Sequence, residues 1–404
     1  MTIATSISAA SASPADPTTQ PQPSSSVTND NKGAVTEDEA ALYDRQIRLW
    51  GLEAQNRLRT AHILIVGWNG IATETIKNTV LSGIGSITIL DPTLIDASTD
   101  LLSGFFFRDE EVGQPKCSPG PLDRVRALNP LVKVTGIHEA SSYETLLNGG
   151  EAAQTWLRDQ AIDVVVAGTP LPTTPAGGDG LMAKLIAMNE TTRAAGLKFF
   201  LSGTYGLGGF YFADQITHDY LVERAAPPST AATTTPEQTE KKRIKQRQIF
   251  TSLSASLSYT WTGLTDRQQH RIRPPVDWFV WLALCDLQSR LGSNASCTSI
   301  ASSALKDRTV ALIQEKGFKP ELILPTTAGE ETDKIFESVV KLGGTGVTLA
   351  PVGSVLGGLM AQDILNSISG REEPVVNWLF LHMDASGSAT VHRIGDLTNP
   401  VVVD

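Results

Sequence analysis

The sequence predicts an α/β fold built on a mostly parallel, doubly wound sheet. Short apolar runs that read as strands alternate with helical segments along most of the chain, which is the pattern of repeated strand–helix–strand units. In addition, the segment from residue 62 to residue 91 joins a strand, a glycine-containing turn, a helix and a second strand that ends on an acidic residue. Together these two observations favour a sheet covered by helices on both faces.

The first strand–helix–strand unit is the clearest element of the chain. Its strand is His62–Val66, its turn is Gly67–Ala72, its helix runs to Leu81, and its second strand is Ser86–Leu90, followed by Asp91. This order is the opening of a Rossmann-type nucleotide-binding unit.

The turn of this unit departs from the nucleotide-binding pattern G-x-G-x-x-G/A. Gly67 and Ala72 fit the first and last positions, and Gly70 adds a further glycine, but Asn69 stands where the second glycine belongs. That glycine lets the backbone approach a phosphate closely, and a side chain fills the same space. The unit therefore predicts the fold while disfavouring nucleotide binding in this turn.

A helix is predicted immediately before the first strand. Tyr43, Ile47 and Trp50 recur at helical spacing and form one apolar face. Arg45 and Arg48 are three residues apart and share another face. From the residues alone, a solvated basic face is the simplest interpretation of the two arginines.

The remaining elements follow from periodicity and from glycine and proline stops. A glycine pair inside the last long helix indicates a closely packed neighbour, because glycine in a helix costs about 1 kcal/mol relative to alanine. The predicted strands are 132–135, 164–167, 198–202, 210–213, 378–381 and 389–392, and the predicted helices are 122–128, 156–160, 181–195, 276–291, 302–316 and 354–367.

Composition divides the chain into four parts. Residues 1–34 are rich in Ser, Thr, Pro and Ala and are predicted to be a disordered tail. Residues 35–224 form the first part of the α/β domain, 225–250 a flexible basic insertion, and 251–404 the completion of the domain. The basic run 241–247 is predicted to be either a nuclear import signal or an exposed helix face.

Bulk properties exclude several classes of function. The net charge of −10 argues against broad nucleic-acid binding. The three cysteines show no CxxC spacing, so neither a zinc site nor a disulfide framework is expected. The longest strongly apolar run, Trp278–Cys285, is too short to span a bilayer, and no secretory signal is present. No Walker A, HExxH or GxSxG motif occurs.

Several segments together resemble the ThiF/MoeB-like adenylation fold of ubiquitin-like-protein activating enzymes. The nine residues Y-D-R-Q-I-R-L-W-G at 43–51 are the most specific of them. The resemblance covers roughly residues 36–222 and 275–395. The other matching segments are Lys77–Gly83, Val112–Lys116, Leu128–Pro130 and Ala350–Gly358.

In this family two Rossmann-like halves pair, and the resemblance implies that this chain is the supporting half of a SUMO-activating heterodimer. The position of Asn69 spoils the phosphate turn. Thr99 and Ser103 stand where the active half has Asn and Arg, and Gly168 or Thr169 stands where it has a magnesium-binding Asp. By the resemblance, a larger catalytic subunit binds ATP, Mg²⁺ and SUMO and carries the catalytic cysteine, while this chain is inactive alone.

The resemblance also gives roles to individual residues. The family's N-terminal helix crosses to the partner and places an arginine beside the ATP phosphates, a position that matches Arg45, with Arg48 a weaker candidate. A guanidinium suits this role because it donates several fixed hydrogen bonds to phosphate oxygens. Asp91 and Lys116 match positions of the active half and are expected to be vestigial, and a nuclear location is expected.

The sequence leaves three alternatives open. The corresponding subunit of the NEDD8-activating enzyme is usually longer, whereas only a short segment separates Tyr220 from Trp278 here. A NAD-dependent oxidoreductase would use the turn Gly67–Ala72 and Asp91, and Asn69 counts against it. A pure scaffold would make no chemical contribution, and substitution of Arg45 separates that alternative from the trans-arginine role.

Overall fold

The computed structural model describes residues 42–169, 180–225, 241–291, 300–324, 330–341, 348–383 and 388–403. The strands are β1 (His62–Val66), β2 (Ser86–Leu90), β3 (Lys133–Ile137), β4 (Val164–Thr169), β5 (Lys198–Tyr205), β6 (Gly208–Asp214), β7 (Thr217–Ala225), β8 (Lys241–Ile249), β9 (Trp378–His382), β10 (Ser388–His392) and β11 (Val401–Val402).

The helices surround these strands. They are α1 (Asp44–Thr60), α2 (Gly70–Leu81), α3 (Pro119–Arg126), α4 (Ala140–Asn148), α5 (Gly150–Asp159), α6 (Leu181–Ala194), α7 (Leu253–Ser258), α8 (Asp266–Ile272), α9 (Val276–Leu291), α10 (Ser302–Glu315), α11 (Pro320–Ile323), α12 (Glu330–Lys341) and α13 (Ala350–Ser369).

One eight-stranded sheet forms the centre of the α/β domain, in the order β10-β9-β6-β5-β4-β1-β2-β3. The five strands from β5 to β3 pair in parallel, while β6, β9 and β10 add antiparallel pairs. The prediction of a mostly parallel doubly wound sheet is therefore confirmed, with an antiparallel extension at one side.

Successive residues of β1 enter two different cores, one on each face of the sheet. Leu64 and Val66 belong to one buried cluster, and Ile63 and Ile65 belong to the other. This is the packing expected when helices cover both faces, and it explains why the strand reads as a continuous apolar run. None of the helices in the described part of the chain combines the length and the hydropathy that a transmembrane span requires.

The glycine pair predicted to need a close neighbour lies in α13, which packs on α2. A Cβ atom at Gly357 would lie 2.5 Å from Cβ of Glu74 and 2.7 Å from the carbonyl oxygen of Ile71. Because neither neighbour is the far end of a flexible side chain, only glycine allows this approach. The predicted packing partner is thus confirmed.

The predicted helix face at 241–247 is wrong, because these residues form strand β8. It pairs antiparallel with β7 and β11 in a separate three-stranded sheet. Arg243, Lys245 and Arg247 are exposed, and Gln246 and Gln248 alternate with them in buried positions. This alternation is the period of a strand, and the density of basic residues concealed it.

Residues 1–34 and 226–240, the predicted tail and the first half of the predicted insertion, lie outside the described residues.

A buried carboxyl group sits between α13 and the sheet. Asp363 is 5% exposed, and the backbone N–H of Val375 donates to one of its oxygens at 3.3 Å. Burial raises the pKa of Asp363 to about 7, although the Val375 N–H, the Tyr211 hydroxyl and the Lys198 ammonium all favour its charged form. The folded state therefore holds this carboxyl protonated at a pH where the unfolded chain does not.

This carboxyl should make the free energy of unfolding fall between about pH 4 and pH 7. Since its pKa rises from 3.8 to about 7 on folding, its contribution is complete below pH 4 and lost by pH 7, a change of at most about 4 kcal/mol. Asp363→Asn should remove this slope, so its stability relative to the unchanged protein should increase with pH. Urea unfolding at several pH values measures it. An equal slope in both proteins would contradict the assignment, and the exposed Asp159→Asn serves as control.

Candidate functional site

The predicted nucleotide turn lies where β1, β2 and β4 end, at the edge of the sheet that binds ligands in doubly wound folds. Asp91 follows β2 and is 1% exposed. Its carboxylate accepts hydrogen bonds from the backbone N–H groups of Trp68 (2.7 Å) and Thr93 (2.8 Å). The acid that would contact a ribose in a dinucleotide site is used here to hold the turn of its own chain.

Lys116 is likewise engaged within the protein. Its ammonium lies 2.8 Å from a carboxylate oxygen of Asp100 and 3.9 Å from one of Asp91, and it donates to the Trp68 carbonyl at 3.2 Å. Asp100 is 6% exposed, and burial raises its pKa while the Lys116 charge opposes that shift. Lys116 therefore neutralises two buried carboxylates.

Asn69 occupies the start of α2 with its own side chain. The side-chain oxygen accepts the backbone N–H of Ala72 at 2.9 Å, and the side-chain amide donates to the Thr169 carbonyl at 3.3 Å. Asn69 is thus the N-cap of α2, and it ties the helix to the end of β4. The backbone N–H of Ala72, which could donate to a phosphate in an intact glycine turn, therefore already has the Asn69 oxygen as its acceptor.

Aromatic side chains pack behind this turn. Trp68 is 1% exposed, its ring centroid lies 5.9 Å from that of Phe106 and 4.9 Å from that of Phe107, and its indole N–H donates to the Thr73 hydroxyl at 3.2 Å. The side chain next to the glycine motif is therefore part of the core. The side chains of Asn69, Asp91 and Lys116 at this edge are thus all paired within the chain.

Lys116→Ala should lower the free energy of unfolding by about 3–5 kcal/mol, because it leaves the buried carboxylates of Asp91 and Asp100 without their cation. The double variant Lys116→Ala with Asp100→Asn should recover part of this loss, since one carboxylate is then removed as well. Denaturant unfolding of the isolated chain measures both. A loss below about 1 kcal/mol in the single variant would contradict a structural role for this lysine.

The N-terminal helix α1 is fixed to the domain at its first turn. Tyr43 is 3% exposed, and its ring would clash with a Cβ atom at Gly83, so this contact requires glycine. The Asn129 amide donates to the Tyr43 hydroxyl at 2.8 Å and to the Val80 carbonyl at 2.9 Å. The helix is broken at Gly51, whose φ is +84°. The segment of α1 before Gly51 is therefore a short helix that is anchored to the domain at Tyr43.

Arg45 and Arg48 both lie on the exposed side of this first half of α1. Arg48 forms an exposed ion pair with Asp44 at 3.0 Å, whereas Arg45 makes no hydrogen bond or ion pair with the described residues. The turn residues Gly67, Asn69, Gly70, Ala72, Asp91 and Lys116 lie in the structure as one cluster, and Arg45 and Arg48 lie on a different element.

Sequence reasoning missed two residues of the closed turn, Trp68 and Asp100. A tryptophan inside the glycine motif and an acidic loop before the aromatic run were the available signals. Neither signal indicates which partner the Trp68 or Asp100 side chain takes.

Among the described residues, no group of three or more His, Cys, Asp or Glu is arranged to hold a metal ion.

A groove of about 770 Å³ opens beside the first half of α1. Leu49, which is 78% exposed, and Leu81, which is 44% exposed, stand on its walls together with Trp50. Apolar side chains exposed at this level around one concavity are typical of a protein–protein contact. The rest of the lining comes from Asn78, Ser82, Gly358, Gln362, Leu365, Asn366, Arg371, Glu372 and Glu373.

Comparison with known proteins gives one family and many relatives. Residues 43–398 match the ThiF family. The chain is 28% identical to SUMO-activating enzyme subunit 1 of Xenopus laevis, over 86% of this chain and 94% of that protein. It is 30% identical to the DNA damage tolerance protein RHC31 of Saccharomyces cerevisiae, over 85% and 94%. The human SUMO-activating enzyme subunit 1 is 26% identical, over 90% and 97%.

Proposed function

Because the chain belongs to the ThiF family, we propose that it is the small, regulatory subunit of a SUMO-activating enzyme. The relatives named SUMO-activating enzyme subunit 1 align over nearly their whole length, which supports this subunit rather than the NEDD8 or oxidoreductase alternatives. One contrast carries the proposal. The side chains of Asn69 and Lys116 are paired within the chain at the nucleotide turn, whereas Arg45 on the N-terminal helix α1 makes no ion pair with the described residues.

The division of labour follows from that contrast. A larger catalytic subunit binds ATP and Mg²⁺, adenylates the C-terminus of SUMO, and transfers it to its own cysteine as a thioester. The pairing of Asn69, Asp91 and Lys116 within the chain supports the proposal that this subunit is inactive alone and acts through the complex.

The residue of this chain that contributes to chemistry is Arg45. Attack on the α-phosphate expels pyrophosphate, and negative charge develops on both groups. A guanidinium placed beside these oxygens stabilises that charge through directed hydrogen bonds. Arg45 is exposed and unengaged by the described residues, while Arg48 is already paired with Asp44. Arg45 is therefore the main candidate and Arg48 the weaker one.

The partner subunit binds along the first half of α1 and the groove beside it. This places the exposed Leu49 and Leu81 inside the interface and holds the helix that carries Arg45 against the partner. No contact to nucleic acid or membrane is part of this function.

ATP–pyrophosphate exchange tests the proposal. The chain alone, the candidate large subunit alone, and their mixture are each assayed with SUMO and with NEDD8. Exchange in the mixture that depends on SUMO and is much weaker with either subunit alone is expected. Exchange by this chain alone would show that the closed turn binds nucleotide after all, and exchange that prefers NEDD8 would favour the other heterodimer.

A nuclear location is part of the proposal. Arg243, Lys245 and Arg247 present an exposed basic row on β8, although Lys245 and Arg247 both pair with Asp219. A fluorescent fusion of the chain with these three residues changed to Gln tests whether the row directs import. Unchanged nuclear accumulation would show that import depends on another segment or on the partner.

A further inference from the structure

A second, smaller cavity lies at the same edge of the main sheet as the closed turn, but on the far side of β4. It has a volume of about 190 Å³. The turn between β5 and β6 forms one wall through Tyr205 and Leu207, the last residue of β9, His382, forms another, and α9 and α12 complete it. Neither the adenylation role nor the partner groove uses this cavity.

One end of the cavity is polar. Asp277, in the first turn of α9, presents a carboxylate that is 16% exposed, and the Nδ1 atom of His382 lies 3.4 Å from one of its oxygens. Tyr205 stands behind it, 2% exposed, and its hydroxyl makes no hydrogen bond of normal geometry with the described residues. Burial and the neighbouring Asp277 carboxylate raise the pKa of Tyr205, so the hydroxyl stays protonated.

Most of the remaining lining is aliphatic. Leu207, Val280, Ile335 and Val339 form it, and Gly208, Lys334 and Ser338 complete the lining. Leu207 is 42% exposed although it lines the cavity. An occupant therefore meets apolar surface for most of its length and a negative group at the end.

We propose that this cavity binds a lysine side chain presented by a partner protein. A lysine has a four-carbon apolar stem that matches the aliphatic walls, and a compact ammonium that matches the Asp277 carboxylate. The cavity is of side-chain size, so a single anchoring residue fits it better than a nucleotide or a larger metabolite. Lys334, exposed on α12, also lines the cavity, and its positive charge weakly repels the ammonium of the bound lysine.

Methyl-selective NMR of the full chain tests the proposal directly. Nα-acetyl-lysine-methylamide is titrated into protein labelled at isoleucine and valine methyl groups, and Val280, Val339 and Ile335 report on the cavity. The uncharged norleucine analogue is the matched ligand. We expect saturable shifts of these methyl signals with the lysine compound and at least fivefold weaker binding of norleucine, which corresponds to about 1 kcal/mol for the ion pair.

Two variants make the outcome decisive. Asp277→Asn should weaken lysine binding to the level of norleucine, because the carboxylate is the charged partner. Lys334→Gln should strengthen it about two- to threefold by removing a like charge from the mouth. Equal binding of both ligands, no effect of Asp277→Asn in a protein with an unchanged spectrum elsewhere, or no shift of the three methyl groups at tens of millimolar ligand would each overturn the proposal.

Discussion

Arg45→Ala is expected to reduce ATP–pyrophosphate exchange by the heterodimer by about 100-fold or more, which is the usual effect of removing one donor that stabilises transition-state charge. The expectation follows from position. Arg45 is exposed on α1, makes no ion pair with the described residues, and lies two residues after Tyr43, which anchors the helix to Gly83 and Asn129. Its guanidinium is therefore available to a neighbouring subunit without the loss of a contact inside this chain.

Arg48→Ala is the matched control for this prediction. Arg48 lies one turn further along the same exposed face but is paired with Asp44 at 3.0 Å, and its removal should change exchange by much less. Arg45→Lys should recover only part of the activity, because an ammonium keeps the charge and loses the planar fork. Sedimentation must show that each heterodimer is intact. If Arg45→Ala leaves exchange unchanged in an intact dimer, the chain is a scaffold without a chemical contribution.

The central part of the fold could be predicted from sequence because its signals are local. The strands β1 and β2 were predicted with the bounds that the structure gives them, and α9 was too. β1 and the centre of α9 are dense in apolar residues, and β2 alternates polar and apolar residues over its first four positions, so each pattern can be read without knowledge of distant segments. The break in the glycine motif at Asn69 was also visible, although its second role as the cap of α2 became clear only from the hydrogen bonds.

The rest depends on contacts between distant residues. Nothing local indicates that Lys116 takes Asp100 as its nearest partner, or that Trp68 packs on Phe107. Strand β8 was missed for a related reason: its alternating exposed residues are basic, and their pairing with Asp219 on β7 is set by the antiparallel register. Tertiary context decides such segments against their local appearance.

Leu49→Asp is expected to weaken the heterodimer by at least about 30-fold, or about 2 kcal/mol, with no loss of stability in the isolated chain. Leu49 is 78% exposed in the described chain, so a carboxylate there is fully hydrated and costs the monomer little. If the partner covers this side of the groove, the same carboxylate must lose its water without gaining a cation. Leu81→Asp, at another residue that lines the groove, should act in the same direction.

Val391→Asp provides the control, since Val391 is 52% exposed but lies on β10, outside the groove. Biolayer interferometry against the large subunit measures affinity, and thermal unfolding of each variant alone measures the fold. Equal affinity of Leu49→Asp and Val391→Asp would place the interface elsewhere. Loss of affinity confined to the groove variants would indicate that the partner covers the groove. The helix α1, which carries Arg45, also forms a wall of that groove. Binding of the partner and delivery of the guanidinium would then be two consequences of one contact.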